Sequence, residues 1–399
     1  MAFRDLGRNR RRSFFSALAI AIGLALLMLL ASVIKGEMGS AIDSAILLQS
    51  GHLQIRAESY DENKSSLKWA DLIENPDQIA SQVAGLPQVK VATPRLFASG
   101  FLSNGNESAG ARIIGIDPAS AANDPYRQGL LSGDYLTADD REGLLVGKPM
   151  ADKLRLKAGD QISLSVNTSN GDVLEQTFTV RGIYTTNTYG FDNSIIFLPL
   201  AKAQAITQTE NHASTIFVLL KDISSTDSVV SALKVSNLKV LSWVDMNSLI
   251  VEFETMANSY IGFFYLIILA ITASVIINTL IMSVYERTRE IGILSAVGMR
   301  GSRIMMMFLA ESILLAIGGV ILGLVVGWLG VFLFNINGFY IGNMGLNGML
   351  VTDTIRAKLT LNDTINVSIM TFVVTLLSGL YPAVMASHME PVEALRAEK

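Results

Sequence analysis

Four long apolar segments constrain this chain more than any other feature of its sequence. They run from residues 14 to 35, 256 to 284, 304 to 334 and 367 to 387. A helix needs roughly 20 apolar residues to cross a hydrocarbon layer about 30 Å thick, and each segment is long enough. Half of the 399 residues are apolar and only 17% are charged, so we predict an α-helical membrane protein with four transmembrane helices.

Basic residues flank these segments on one side. Residues 1–13 carry five arginines against one aspartate, and the short loop 285–303 carries four more arginines. Basic residues near the ends of spans stay in the cytoplasm. We therefore expect both segments and the tail 388–399 to be cytoplasmic, and the loop 335–366 to lie outside. The chain is then a multi-pass membrane protein with both termini in the cytoplasm.

The segment between the first two spans differs in composition from the rest of the chain. Residues 36–255 carry 17 basic and 26 acidic residues, whereas the remainder carries 14 and 9, which agrees with a position outside the cytoplasm. Short β-rich runs such as Val89–Pro94 alternate with helical patterns such as Leu200–Gln208. This mixture predicts a large α+β extracytoplasmic domain, with a helical stalk at each of its ends.

Residues that carry common enzyme or metal chemistry are scarce. With no cysteine and three histidines, the chain is not expected to use thiolate catalysis or imidazole-rich metal sites. The run Gly143-Leu-Leu-Val-Gly-Lys-Pro149 resembles a phosphate loop, but only three residues separate its glycines instead of four, and proline replaces the Ser/Thr that would hold magnesium. We expect a strand that ends in a turn here, and no metal or cofactor bound by this chain. The net charge of −4 gives no reason to expect nucleic acid.

The third span contains two features that a purely lipid-facing helix would not need. Glu311 is the one ionisable residue clearly inside a span, where burial of a charge is costly. It bonds to another helix, responds to a conformational step, or lies at the wet cytoplasmic end of the bundle. A ridge of small residues comprises Gly319, Gly323 and Gly327, with a weaker counterpart at Ala17, Ala21 and Ala25. Such ridges let helices approach closely, which predicts a packing or dimer seam, although glycine is common in membrane helices generally.

The loop between the second and third spans has the pattern of a short amphipathic helix. Glu286 and Glu290 lie four residues apart with arginines beside them. Ile291, Leu294 and Val297 recur at helical spacing and share an apolar face. A glycine at position 298 is placed to end the helix. The same pattern also fits a helix that simply lies on the membrane surface.

At this loop the chain resembles a known family. The run Glu286-Arg-Thr-Arg-Glu-Ile-Gly-Ile-Leu-Ser-Ala-Val-Gly298 is similar to the signature of FtsX-like ABC transporter permeases. Segments 3–12 and 381–396 are similar to the two ends of that superfamily. Gly51–Ile55 and Gly115–Pro118 look most like its lipoprotein-releasing (LolC/LolE) and MacB-like branches.

The resemblance implies that residues 286–298 form a coupling helix, which inserts into a cleft of a separate ABC ATPase. It assigns this contact to Glu286, Arg287, Arg289, Glu290, Ile291, Gly292, Leu294, Val297 and Gly298. It also implies a dimer with a second copy or a paralogue, and an extracytoplasmic carrier or adaptor as a further partner. ATP and magnesium would be bound by the ATPase, whose motion would pass through the stalks to the outer domain.

The resemblance leaves more than one function open. The leading hypothesis is a non-catalytic permease subunit that releases or exports lipoproteins or other amphiphiles. The alternatives are MacB-like efflux of drugs or peptides, and a signalling module that activates an external partner such as a cell-wall hydrolase. MacB proper carries a fused nucleotide-binding domain for which this sequence shows no motif, and the external domain of cell-division FtsX is much smaller than the one predicted here.

Overall fold

The structure is a computed structural model that describes residues 10–61, 67–233, 238–340 and 352–390, apart from the side chains of Arg10 and Arg12. The predicted N-terminal segment 1–13, outer loop 335–366 and tail 388–399 therefore lie partly outside the described residues.

The chain divides into two compact units. The first contains Met1–Glu37, Glu254–Phe339 and Ile355–Lys399, and the second contains Met38–Phe253 and Tyr340–Thr354.

Long helices form the first unit, whereas the second mixes strands with short helices. The helices within the described ranges are α1 (Arg10–Ser44), α2 (Pro76–Ala84), α3 (Asp124–Gln128), α4 (Lys148–Leu154), α5 (Tyr189–Asp192), α6 (Leu200–Thr207), α7 (Thr226–Ala232), α8 (Trp243–Met246), α9 (Ser248–Glu286), α10 (Thr288–Ala296), α11 (Gly301–Asn337) and α12 (Leu361–Ser387). The strands there are β1 (Leu53–Ala57), β2 (Ile73–Glu74), β3 (Val89–Asn104), β4 (Glu107–Ile116), β5 (Leu130–Gly133), β6 (Gly143–Gly147), β7 (Gln161–Asn167), β8 (Val173–Tyr184), β9 (Ile195–Pro199), β10 (His212–Ala213), β11 (Thr215–Leu220), β12 (Leu238–Ser242), β13 (Phe339–Tyr340) and β14 (Thr354–Ile355).

Among the described residues, four helices are long and apolar enough to span a membrane. They are Ser13–Ser50, Ser248–Glu286, Gly301–Asn337 and Leu361–Ser387. Each predicted span lies within one of them, so the prediction of four transmembrane helices is confirmed. The helices are longer than the spans because polar residues continue them: the 39 residues of α9 extend roughly 58 Å, about twice the hydrocarbon thickness.

The glycine ridge of the third span lies against the first span of the same chain. A Cβ atom at Gly319 would lie 2.6 Å from the Cβ atom of Ile20, and one at Gly323 would lie 3.1 Å from the Cα atom of Ala21. At Gly327 the Cα atom of Ala25 would be 3.2 Å away. The two small-residue ridges of the sequence thus pack on each other within one chain. This face is therefore filled by α1, and the alternative that it forms a seam between two copies does not fit the structure.

One lobe of the second unit is a four-stranded antiparallel sheet with two helices. Its strand order is β12-β1-β11-β3, and the chain order β1-α2-β3-β11-α7-β12 makes it a βαββαβ arrangement. The helices bury Ala80, Val83 and Val229 against Ile55 and Val218 of the sheet. This contact forms the core of the lobe.

The other lobe is a closed barrel inserted between β3 and β11. Its strands pair in the circle β3-β4-β9-β6-β8-β7-β3. Closure gives each of these six strands a neighbour on both sides, while β5 pairs with β8 outside the circle, and alternate residues of each barrel strand fill the interior. The prediction of an α+β domain is confirmed, but β3 continues ten residues past the predicted end at Pro94 and joins the two lobes.

The close approach of α1 and α11 gives a testable prediction at two adjacent glycines. We expect Gly319→Ala to destabilise the bundle by about 1–3 kcal/mol, because the new methyl group overlaps the Ile20 side chain. Gly318→Ala is the matched control, since a Cβ atom there meets nothing within 4 Å. Both changes alter helix propensity equally, so the difference in thermal unfolding midpoint in detergent isolates the contact. Equal midpoints would show that α1 and α11 do not pack through this ridge.

Candidate functional site: the α10 helix and its buried ion pair

The loop predicted to be a coupling helix is helical in the structure. Helix α9 ends at Glu286 and α10 begins at Thr288, so a single residue, Arg287, lies between them. The backbone of Arg287 has φ −106° and ψ 12°. The backbone N–H of Arg287 donates to the Val284 carbonyl at 3.1 Å, and its own carbonyl accepts from Ile291 at 2.9 Å. Arg287 is therefore hydrogen-bonded into the last turn of one helix and the first turn of the next. The chain changes direction at this residue.

One face of α10 packs on the bundle of its own chain. Ile291 is 1% exposed and Gly292 is buried. The cluster around Ile291 contains Val284, Ile304, Phe308, Ala383 and Ala386. Burial of an isoleucine of this kind contributes roughly 1.5–3 kcal/mol. The assignment of Ile291 to the ATPase contact is therefore wrong in this structure, because its side chain is already buried in the bundle.

The other face of α10 is open. Arg289 and Glu290 are exposed and Leu294 is half-buried, and Glu286, the last residue of α9, is exposed as well. Two apolar side chains stand out, because Ile293 is 50% and Val297 83% exposed. Exposed apolar residues rimmed by charged ones are typical of a contact surface.

The predicted apolar face of Ile291, Leu294 and Val297 is not continuous, because α10 ends at Ala296. Gly298 adopts φ +95°, a left-handed conformation that glycine favours, and α10 stops at Ala296. The N–H of Met299 then donates to the Leu294 carbonyl at 3.0 Å. The prediction that Gly298 ends the helix is confirmed. Val297 consequently lies beyond the last helical residue and does not continue the buried row that starts at Ile291.

Glu311 lies opposite Arg287. The Nη1 atom of Arg287 is 3.5 Å from the Oε2 atom of Glu311, and both side chains are less than a tenth exposed. Glu311 is ten residues into α11, roughly 15 Å along the helix. The alternative in which Glu311 bonds to another helix fits this geometry, and the one in which it lies in a wet end does not.

A buried ion pair contributes less to stability than its Coulomb attraction suggests. Desolvation of the two charges offsets most of their attraction, and a pair of apolar residues of similar volume is often as stable. Loss of one partner is different, because it leaves a buried charge and typically costs about 3–5 kcal/mol. The Arg287–Glu311 pair therefore fixes geometry more than it adds stability.

A second polar junction lies within the α+β unit, at the helical turn that follows α1. This turn is π-helical and comprises Ala45–Ser50. Its Leu48 carbonyl accepts hydrogen bonds from the Tyr126 hydroxyl at 2.7 Å and from Arg95 Nη1 at 3.2 Å. Leu48 lies in the last turn of the helix, where carbonyls lack helical donors, so donors from the domain can reach its oxygen.

Arg95 is an unusual residue for the interior of a β-rich lobe. It is fully buried, donates from Nη2 to Asn123 at 3.2 Å and stacks 3.6 Å from the centre of the Phe217 ring. Because burial disfavours the charged form, the pKa of Arg95 is lowered. Sequence reasoning missed this junction. Its one signal was an arginine within an otherwise apolar run after Pro94.

The segment that resembles a phosphate loop has a different structure. Strand β6 ends at Gly147 and leads directly into α4, so the predicted turn is absent. A Cβ atom at Gly147 would collide with the backbone carbonyl of Asp192. The glycine thus allows two backbones to pass closely.

Comparison with known families accounts for both units. Residues 13–235 match the family model of the MacB-like periplasmic core domain, and residues 262–391 match that of the FtsX-like permease C-terminal region. The chain belongs to the FtsX-like, MacB-related family of ABC transporter permeases. With its four apolar helices, this permease is a multi-pass protein of the bacterial inner membrane.

Individual relatives fall into two branches. The lipoprotein-releasing system transmembrane protein LolC of Neisseria meningitidis serogroup B is 23% identical, over 100% of this chain and 98% of LolC. LolE of Haemophilus influenzae is 23% identical, over 96% and 93%. The macrolide export ATP-binding/permease protein MacB of Marinobacter nauticus is 24% identical over 100% of this chain but only 60% of MacB.

Solved structures of outer domains resemble part of the chain. The periplasmic region of MacB from Actinobacillus actinomycetemcomitans covers 51% of this permease, with 97% of that region aligned, a TM-score of 0.36 and 15% identity.

Proposed function

We propose that an ABC ATPase subunit drives this permease by binding the open face of α10. The observation that carries the proposal is the division of this helix. Ile291 and Arg287 hold one face to the bundle, while Val297 and Ile293 remain exposed among charged residues. A helix held firmly on one side and apolar on the other is suited to receive force from a partner. The ATPase would bind ATP and magnesium, and this chain would be non-catalytic.

The charge pattern supports an orientation with α10 in the cytoplasm. The basic N-terminal segment and the arginines of the 285–303 loop would lie inside, with both termini. One span separates the N-terminus from the α+β unit, and three separate it from the 335–366 loop. Both segments would therefore lie outside. In this orientation α10 faces the compartment that supplies ATP.

Motion would reach the outer domain through two helices. Helix α1 runs from Arg10 into the π turn without a break, and α9 runs from Ser248 to Glu286. The Leu48 carbonyl connects the end of α1 to Arg95 and Tyr126. Tilting of α1 would therefore move the barrel lobe, which is a mechanical mode of transport. A second permease, identical or paralogous, would complete a dimer through a face other than the glycine ridge.

The similarity to LolC and LolE supports release of lipoproteins or similar amphiphiles as the transport function. The match to LolC extends over nearly the full length of both chains, whereas MacB is longer and is covered to 60%. An extracytoplasmic carrier or adaptor would receive the substrate. Efflux and signalling through an external hydrolase are the alternatives that the substrate experiment below separates.

The ATPase contact can be tested at Val297. We expect Val297→Asp to weaken co-purification of the co-encoded ATPase on the order of tenfold or more, because an apolar contact is replaced by a charge. The side chain is 83% exposed in this chain, so the fold should be unaffected. Ser302→Asp, at an exposed position five residues later, is the matched control. Wild-type binding by the Val297 variant would rule out this face as the ATPase site.

The orientation can be tested with single cysteines, because the natural chain has none. Ser108 in the α+β unit and Ser302 next to α10 are both exposed. We expect a membrane-impermeant maleimide to label Ser108→Cys in intact spheroplasts, and to label Ser302→Cys only after permeabilisation. Labelling of both before permeabilisation would contradict the orientation.

The substrate class can be tested in liposomes that contain the permease, the co-encoded ATPase and a fluorescent triacylated lipoprotein. We expect ATP to release the lipoprotein to a soluble carrier, and the Val297→Asp variant to abolish this release. A macrolide in place of the lipoprotein tests the efflux alternative. ATP-dependent macrolide movement without lipoprotein release would place the protein with the MacB branch in function.

A further inference from the structure

The Arg287–Glu311 pair connects two parts of the bundle that have different roles under the proposed function. Arg287 is the residue between α9 and the helix that would receive the ATPase. Glu311 lies inside the third span, well beyond the last residue of the 285–303 loop. A displacement of the N-terminal end of α10 therefore acts on α11 at Glu311, through the ion pair with Arg287.

The two attachments of α10 to the bundle respond differently to movement. Ile291 sits in an apolar cluster, and apolar contact is non-directional, so this attachment does not by itself select one orientation of α10. An ion pair at 3.5 Å in a buried setting depends steeply on distance, because the surrounding dielectric is low. The ionic attachment is the one that converts displacement of α10 into force on α11.

We propose that Arg287 and Glu311 are positioning residues that transmit movement of the coupling helix to the third span, an inference that rests on the proposed function. From Glu311 the same helix continues to Gly319 and Gly323, which touch α1. Helix α1 belongs to both units, because it is unbroken from Arg10 to Ser44 and the first unit ends at Glu37. Together with the packing of Ile291 on Ile304 and Phe308, the pair is thus a contact in a route from α10 to α1 that does not pass through the backbone of α9.

The experiment measures nucleotide-dependent motion at the far end of α11. Asn337 is the last residue of this helix and is exposed, so Asn337→Cys reports the accessibility of that end to a maleimide in the permease–ATPase complex. In the otherwise unchanged complex we expect the labelling rate to differ between the nucleotide-free and ATP-bound states. Glu311→Gln should reduce that difference on the order of tenfold, while the ATPase still co-purifies.

A double variant separates transmission from simple stability. Arg287→Met with Glu311→Leu replaces the pair by apolar side chains, which restores a satisfied interior without restoring the charge contact. We expect this variant to match the wild-type thermal midpoint and ATPase binding but to lack the nucleotide response. The exposed acid Glu390 provides the control Glu390→Gln, which should respond as wild type.

The outcomes are distinct. A wild-type nucleotide response in the double apolar variant would overturn the positioning role and leave the proposed function intact. No ATPase binding by the wild-type chain would overturn the proposed function and this inference with it. Restored response in the charge-swapped variant, Arg287→Glu with Glu311→Arg, would support transmission through the ion pair.

Discussion

The close approach of the first and third spans is the contact on which the rest of this architecture depends. In a bilayer, lipid is as apolar as leucine, so helices associate through tight packing more than through the hydrophobic effect. Glycines at 319, 323 and 327 remove the side chains that would hold α11 away from α1. Helix α1 continues into the second unit and α11 follows α10 in the chain, so this contact links the two helices on which the proposed function relies.

The two buried arginines illustrate two ways in which a charge is held in a protein interior. Arg287 meets a carboxylate, and the resulting pair is sensitive to distance and direction. Arg95 has neutral partners in a carbonyl, an amide and an aromatic ring, which share the charge over several weaker contacts. Both residues lie where one element is joined to another. Burial of each charge has a desolvation free energy, and each arginine gives its junction directional contacts that apolar packing does not provide.

The fold of the outer unit shows how far local patterns reach. The alternation of strand and helix signals indicated an α+β domain, and most short runs became strands. The strand predicted from Val89 ended at Pro94, however, because arginine, serine and glycine interrupt the apolar residues of the following ten positions. In the structure those positions continue the strand because barrel closure pairs them, with β7 on one side and β4 on the other. Barrel closure pairs strands that are far apart in the chain, which no window of sequence displays.

The sequence by itself determined the four spans, the basic flanks, the helical loop between the second and third spans and its end at Gly298, since each depends on hydropathy, charge or conformational preference within a short stretch. It also marked Glu311 and the glycine ridge as unusual. Only the tertiary structure decided what they touch. Glu311 meets Arg287, Ile291 turns into the bundle while Val297 stays exposed, and the glycines face α1 of the same chain. The physical reason is that partner choice depends on how separate helices pack in three dimensions, whereas periodicity describes only the face that each helix offers.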